Sequence, residues 1–195
     1  TRNQAPMAKM FGTLSCQVST MIGSFVSADN AALSEGGIAY QLSLLIPADQ
    51  LLFIGNSMPI RHMQMASVFR SRSPRIIVNR GVSGIDGLIA TACGCADGAG
   101  IHTTAIIGDI SALYDLNSLL LVARSKVPVI LIIINNDGGG IFSLLPVSSW
   151  GDICMSYFTT PHGHNFQSFA DGFGLNYVAP KKLNEFSDQY KKALS

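Results

Sequence analysis

At 195 residues, with 48% hydrophobic and 13% charged side chains, the chain has enough apolar material for one domain with a sizeable core and too little charge for a disordered one. A net charge of +1 and no basic run exclude an electrostatic case for nucleic acid or an anionic membrane surface. The longest apolar run, Val127 to Ile134, is far below the roughly 20 residues that a spanning helix needs, so no membrane role is expected. The start, TRNQAPMAKMFG, lacks the pattern of a signal peptide, and the chain does not begin with Met.

Residues 1–33 are rich in Ser, Thr, Met and Ala with weak patterning, and read as a linker or lead-in from an upstream domain. From residue 34 to 195 the pattern is that of one domain. Ser34 and Glu35 open a helix that ends before Pro47. QLLFIGN (50–56) reads as a buried strand, and Pro59 opens the next helix, to about Phe69. PRIIVNR (74–80) is a second strand, followed by the small-residue helix GIDGLIATACGCADG. TTAIIGD (103–109) is a third strand. The helix after it has Ser111 as its expected N-cap, with Leu113, Leu116, Leu120 and Ala123 on one face. VPVILIIIN (127–135) is a fourth strand, apolar throughout, which predicts burial on both faces. A long loop from Asn136 to about Asn165 follows, and loops of that length tend to be functional. A helix near 165–172, a short strand LNYVAP (175–180) and a last helix over KLNEFSDQYKKAL close the chain.

This alternation predicts an α/β fold: three layers, αβα, around a mostly parallel sheet. In such sheets ligands bind outside the carboxyl ends of the strands. The four strand exits are GNSM, NRGVSG, GDIS and NNDGGG, each polar or glycine-bearing directly after an apolar run.

Asp109 and Asn136 stand at two of these exits, about one βαβ unit apart. A carboxylate, an amide oxygen and the Gly138 carbonyl make a hard-oxygen set of the kind Mg²⁺ takes, with Ser111 and the helix N–H groups beside it for a phosphate. An ordinary N-terminal Asp and a turn-forming Asn-Asp-Gly fit the same spacing. No P-loop occurs, and no G-x-G-x-x-G follows the first strand, which disfavours an NAD site.

Cys93 and Cys95 form CGC, a metal or redox pair or else two small residues on a packed helix. No zinc spacing accompanies them, so packing is the expected role and a reducing compartment the expected setting. His162 and His164 have no carboxylate or Cys at ligand spacing nearby and are expected at the surface. Asp115 and Asn117 are expected on a helix face, and Trp150 in loop packing.

Gly108-Asp109 followed about 27 residues later by Asn135-Asn136 resembles the motif of thiamin diphosphate (ThDP)-dependent enzymes, although Ile110 stands where that motif usually has a third glycine. GNSMPIR, NRGVSGIDG, GDISALYDLNSLLL and NNDGGGIFSLLP, in this order, resemble the SEPHCHC synthases of menaquinone and phylloquinone biosynthesis. Residues 1–33 show little of that likeness. The resemblance implies the diphosphate-binding (PP-type) domain of an enzyme that decarboxylates 2-oxoglutarate and adds the product to isochorismate. It implies ThDP as cofactor, touched by Ser57, Ile85, Gly108, Asp109, Ser111, Asn136 and Gly138, with Ile85 as an apolar prop. Asp109, Asn136 and the Gly138 carbonyl would hold Mg²⁺ or Mn²⁺. Asn56, Arg61, Arg80, Ile141, Phe142 and Leu145 would meet the substrates; without the resemblance, the two Arg read equally as solvated or structural.

The activating Glu of the family lies on a separate pyrimidine-binding domain, of the same or a partner subunit, and no candidate for it stands here. The resemblance therefore implies an incomplete active site, an exposed interface patch and a homo-oligomer in the full enzyme. The compartment would be cytoplasm in a bacterium and plastid in a plant or alga. Other ThDP-dependent 2-oxo acid decarboxylases, and a non-catalytic α/β cofactor-binding module, are the competing expectations.

Overall fold

A computed structural model describes residues 5–26, 32–69 and 73–195. The chain divides into two compact units.

The first unit draws on residues 1–45, 62–70 and 180–195. Its helices are α1 (Ala5–Val26), α2 (Glu35–Leu45), the second half of α3 (Met58–Ala66) and α9 (Leu183–Leu194). Ser34 caps α2 as the sequence predicts, its Oγ accepting the Gly37 N–H at 3.0 Å. Gly37 lets α9 approach: a Cβ there would stand 3.2 Å from Leu183 Cδ1. Ile38, Ala39, Leu42, Met63, Ala66, Leu183, Phe186 and Tyr190 are buried, and His62 Nε2 meets Glu35 Oε2 at 3.0 Å. Helix α1 occupies most of the lead-in. It is apolar without a clear stripe, which is why its patterning looks weak, and Met7, Phe11, Val18, Met21 and Phe25 remain more than half exposed.

The second unit, residues 46–61 and 71–179, carries the sheet. Its strands are β1 (Leu51–Ile54), β2 (Arg75–Val78), β3 (Thr103–Gly108) and β4 (Val129–Ile134), in the order β2-β1-β3-β4, and every ladder is parallel. The α/β expectation is met. Parallel pairing puts all four exits on one edge of the sheet. The chain steps from β1 outward to β2, then returns to place β3 on the other side of β1. The β1/β3 boundary is thus the point where strand order reverses, and a crevice opens there in doubly wound sheets.

Helix α4 (Leu88–Ala99) covers one face. Leu88, Ile89, Ala92 and Cys93 pack with Leu51, Phe53, Ala105 and Ile107. The alternate residues Leu52, Ile54, Thr104 and Ile106 are buried too, the two-sided burial expected of parallel strands. The edge strand β4 departs from it: most of its residues are only half-buried. A continuous apolar run marks parallel pairing but does not say whether the strand is central or at the rim.

Three further expectations are corrected. The helix after β3 begins at Asp109, with Gly108 in extended conformation at the N-cap, so Ser111 is an interior residue and not a cap. That helix is also broken: α5 (Asp109–Tyr114), a 3₁₀ turn (Leu116–Ser118) and α6 (Leu119–Arg124) replace one long element. Among the described residues the segment 175–180 pairs with no strand and stays irregular, with Val178 exposed. The long loop after β4 is built of short helical turns, Gly140–Leu144, Pro146–Trp150, α7 (Asp152–Cys154) and Met155–Thr159, before α8 (Gln167–Gly172).

The break after α5 has a cause. Asp115 is buried, accepts the Ser118 hydroxyl, and reaches across to accept the Ala90 N–H at 3.0 Å. Ala90 lies in the first turn of α4, whose own N-cap, Gly87, has no side chain to offer. A carboxylate 25 residues away thus caps α4. Cys93 on the same helix is buried and its thiol is pushed up to about 11, first by burial and then by Asp97 and Asp115. That is a packing residue with almost no thiolate at neutral pH. Asp115→Ala is expected to destabilise the fold by about 2 kcal/mol, the worth of a charge-assisted bond left half-made. Urea denaturation at neutral pH measures it, and a midpoint unchanged from wild type would refute the cap.

Candidate functional site

The β3–β4 ladder runs over six residue pairs and ends with Gly108 opposite Ile134. The two exits therefore leave the sheet side by side. Asp109 follows directly on β3 and is 2% exposed. Its Oδ1 accepts the adjacent Ile110 N–H at 2.7 Å, and its Oδ2 accepts the Gly138 N–H at 2.9 Å. The Asp109 carboxylate and the NNDGGG turn, separate in sequence, are thus bonded in space.

The glycines of that turn are required by crowding. Gly138 has φ +130°, and a Cβ there would lie 2.3 Å from the Thr159 carbonyl oxygen. A Cβ on Gly140 would lie 2.8 Å from Asn136 Nδ2. Gly139 N–H in turn donates to the Thr159 carbonyl at 2.7 Å. The strip from Met155 to Thr159 thus lies against a bare backbone. The rings of Phe142 and Phe158 meet edge-on at 5.4 Å, and Trp150 packs on Phe158 at 6.4 Å. Ile141 and Phe142 are half-buried beside the turn; Leu145 is more exposed.

Asp109, Asn136 and the Gly138 carbonyl are the oxygen donors that the sequence singles out, and the structure brings their backbones together. The Asn136 side chain is exposed, and the Gly138 carbonyl accepts the Gly140 N–H at 2.9 Å while keeping a second lone pair. The set suits a hard cation better than a soft one, because it offers a carboxylate, an amide and a carbonyl and no thiolate. Ser111 is buried one turn into α5, and Gly108 is the extended residue before it.

On the β1 side, Asn56 is 3% exposed. Its Nδ2 donates to the Gly84 carbonyl at 2.7 Å, while Oδ1 is buried without a partner among the described residues. One N–H of the amide thus holds the loop carrying Ile85. Ser57 sits in the turn with φ +69°, its carbonyl accepting Arg61 Nη1 at 2.6 Å. Arg61 and Arg80 are both exposed. Arg80 lines an open cavity of about 430 Å³ at the β2 exit with Val78, Asn79, Val82, Gly84 and Asp86.

Two residues are more involved than their sequence context suggests. His162 is not a surface residue: its side chain is 9% exposed and its Nε2 lies 3.2 Å from Asp109 Oδ2. Asp137, at φ +63°, accepts the backbone N–H groups of His162 at 3.0 Å and Gly163 at 2.7 Å. Those two bonds, ahead of the neighbouring His residues, hold its carboxyl below the usual carboxylate range. The contacts span 25 to 53 residues, and two of the donors are backbone groups, so no local spacing announces them. Among the described residues no three His, Cys, Asp or Glu side chains gather at metal-binding distance.

A parallel sheet that delivers a buried Asp, an Asn and a bare glycine turn to one crevice is the architecture of a cofactor-binding domain, and residues 61–195 match the family described as thiamine pyrophosphate enzyme, C-terminal TPP binding domain. The chain belongs to that family. Within it, the likeness read from the four exit motifs is borne out by curated relatives named 2-succinyl-5-enolpyruvyl-6-hydroxy-3-cyclohexene-1-carboxylate (SEPHCHC) synthase. The protein of Aeromonas salmonicida is 48% identical over 161 residues, covering 83% of this chain and 28% of the relative. That of Pelodictyon phaeoclathratiforme is 45% identical over 165 residues, covering 84% and 28%. The Chlorobaculum parvum relative is 40% identical over 185 residues, covering 94% and 32%. The chain thus spans about 28% of the length of the first two relatives. A solved structure described as a thiamin diphosphate-dependent enzyme from Mycobacterium smegmatis shares the fold, with a TM-score of 0.66 at 19% identity over 85% of this chain and 30% of that one.

Gly138→Ala is expected to cost about 1–3 kcal/mol through backbone strain alone, and to break the Gly138–Asp109 bond by displacing the turn. Hydrogen exchange of the 136–142 amides reads this out; wild-type protection of the Gly138 amide in the variant would contradict it.

Proposed function

We propose that this chain is the diphosphate- and metal-binding part of a SEPHCHC synthase, an enzyme that decarboxylates 2-oxoglutarate and joins the product to isochorismate in menaquinone or phylloquinone biosynthesis. The observation that carries the reading is the Asp109–Gly138 bond, which joins the GD and NN motifs into one cradle. When bound, ThDP would supply the electron sink for decarboxylation. This chain's residues hold and orient it. Asp109, Asn136 and the Gly138 carbonyl would take Mg²⁺ or Mn²⁺ between themselves and the diphosphate. Gly108 and Ser111, at the start of α5, would lie along the phosphates. Ser57 and Ile85 would meet the cofactor from the β1 and β2 side, with Asn56 fixing the Ile85 loop.

Both substrates carry two carboxylates. Arg61 and Arg80 stand exposed at the β1 and β2 exits, where bidentate hydrogen bonds to carboxylates are available. Ile141, Phe142 and Leu145, held by the Phe142–Phe158 contact, would wall the ring of isochorismate. The pyrimidine-binding domain, with the activating Glu, would come from elsewhere in the same or a partner subunit. The exposed Leu144, Trp150, Ile153 and Tyr157 are apolar surface fit for such a neighbour.

Calorimetric titration of ThDP tests the cradle. Heat of binding is expected with Mg²⁺ and not without it, and is expected to vanish in Asp109→Asn. Binding of NAD instead would overturn the assignment. The purified chain alone is expected to show no synthase turnover in an assay of isochorismate consumption, and sustained turnover would refute the divided active site.

A further inference from the structure

We infer that His162 is a positioning residue that fixes the Asp109 carboxylate for its cation, its Nε2–H donating to Oδ2; the inference rests on the reading of Asp109 as a metal ligand. Both ring nitrogens are engaged. Nδ1 accepts the His164 N–H at 2.9 Å, so it carries a lone pair and no proton. The ring proton therefore sits on Nε2, which lies 3.2 Å from Asp109 Oδ2 and donates to it. With its one ring lone pair held at Nδ1 and its proton on Nε2, His162 does not itself ligate a metal.

The consequence falls on Asp109. Its Oδ2 receives two donors, the His162 Nε2–H and the Gly138 N–H, while among the described residues Oδ1 receives the adjacent Ile110 N–H alone. One oxygen is saturated and the other keeps acceptor capacity, which presents a single oxygen to a hard cation. The ring is in turn placed by its surroundings. Asp137 grips the backbone N–H groups of His162 and Gly163. The His164 ring stacks on it at 5.6 Å, and Phe166 closes its edge at 6.4 Å. Asp137, from the NNDGGG turn, and His162, from the far end of the loop, therefore close a circuit around Asp109.

The test uses the chain itself. Long-range ¹H–¹⁵N correlation of the imidazole in the free protein should show His162 protonated on Nε2. Mn²⁺ affinity in the presence of ThDP, read by electron paramagnetic resonance, should fall about 10- to 100-fold in His162→Ala, the usual effect of removing a partner behind a metal ligand. His162→Gln, whose amide N–H can reach the same oxygen, should restore most of it. An Nδ1-protonated ring, unchanged affinity in His162→Ala, or equal losses in the Ala and Gln variants would overturn the inference. Failure of the wild-type chain to take up Mn²⁺ with ThDP would overturn the metal site itself, and the tautomer would still decide the clamp separately.

Discussion

The architecture of the site depends on a buried carboxylate. An ionised Asp at the end of a central strand is costly to bury unless its oxygens are bonded. Asp109 meets that demand with three N–H donors from three places in the chain: its own helix start, the turn after β4 and the end of the long loop. Each bond forces something further. Reaching Gly138 requires β4 to lie beside β3 in the register observed, and it requires a backbone with no Cβ where Thr159 approaches. Reaching His162 requires the loop to fold back over the exits, and Asp137 makes it do so.

The same logic accounts for the other side of the crevice. The strand order reverses between β1 and β3, the place where doubly wound sheets open a crevice at their exits. At the β1 exit the buried Asn56 amide holds the neighbouring loop. Its Oδ1 is buried and, among the described residues, has no hydrogen-bond partner. The Arg residues, by contrast, remain in solvent. Asp109 and Ser111, placed at the cofactor, are buried, and Asp109 is bonded in advance, whereas Asn136 and the two Arg are exposed. Preorganisation lowers the cost of binding what stays, and exposure leaves access for what exchanges.

Much of this was legible in the sequence because parallel α/β folds tie position to pattern. Apolar runs ending in polar or glycine residues mark strands and their exits, and exits share an edge. Asp109, Asn136 and Gly138 could be grouped on that ground alone. What escaped has a common physical form. His162 and Asp115 work through backbone N–H groups or partners 25 to 53 residues away, and a backbone donor has no sequence signature. Ser111 looked like a cap because Ser favours caps, but the extended Gly108 and the Asp at the first helical position start α5 two residues earlier. An apolar run also looks alike in a central strand and an edge strand, so β4 was read as buried on both faces. Helix α1 was hidden for the opposite reason: with apolar residues spread round it, no stripe stood out against its small polar neighbours.

Asp115 shows that the departures belong to the same design. It stops α5 after six residues, turns the chain through a 3₁₀ segment, and places its carboxylate on the first turn of α4. Helix α4, held by that cap, supplies the sheet face that covers β1 and β3. The short helix after the GD motif is thus a packing requirement: one carboxylate at its start organises the exits, and another at its end holds the helix that keeps those strands in place.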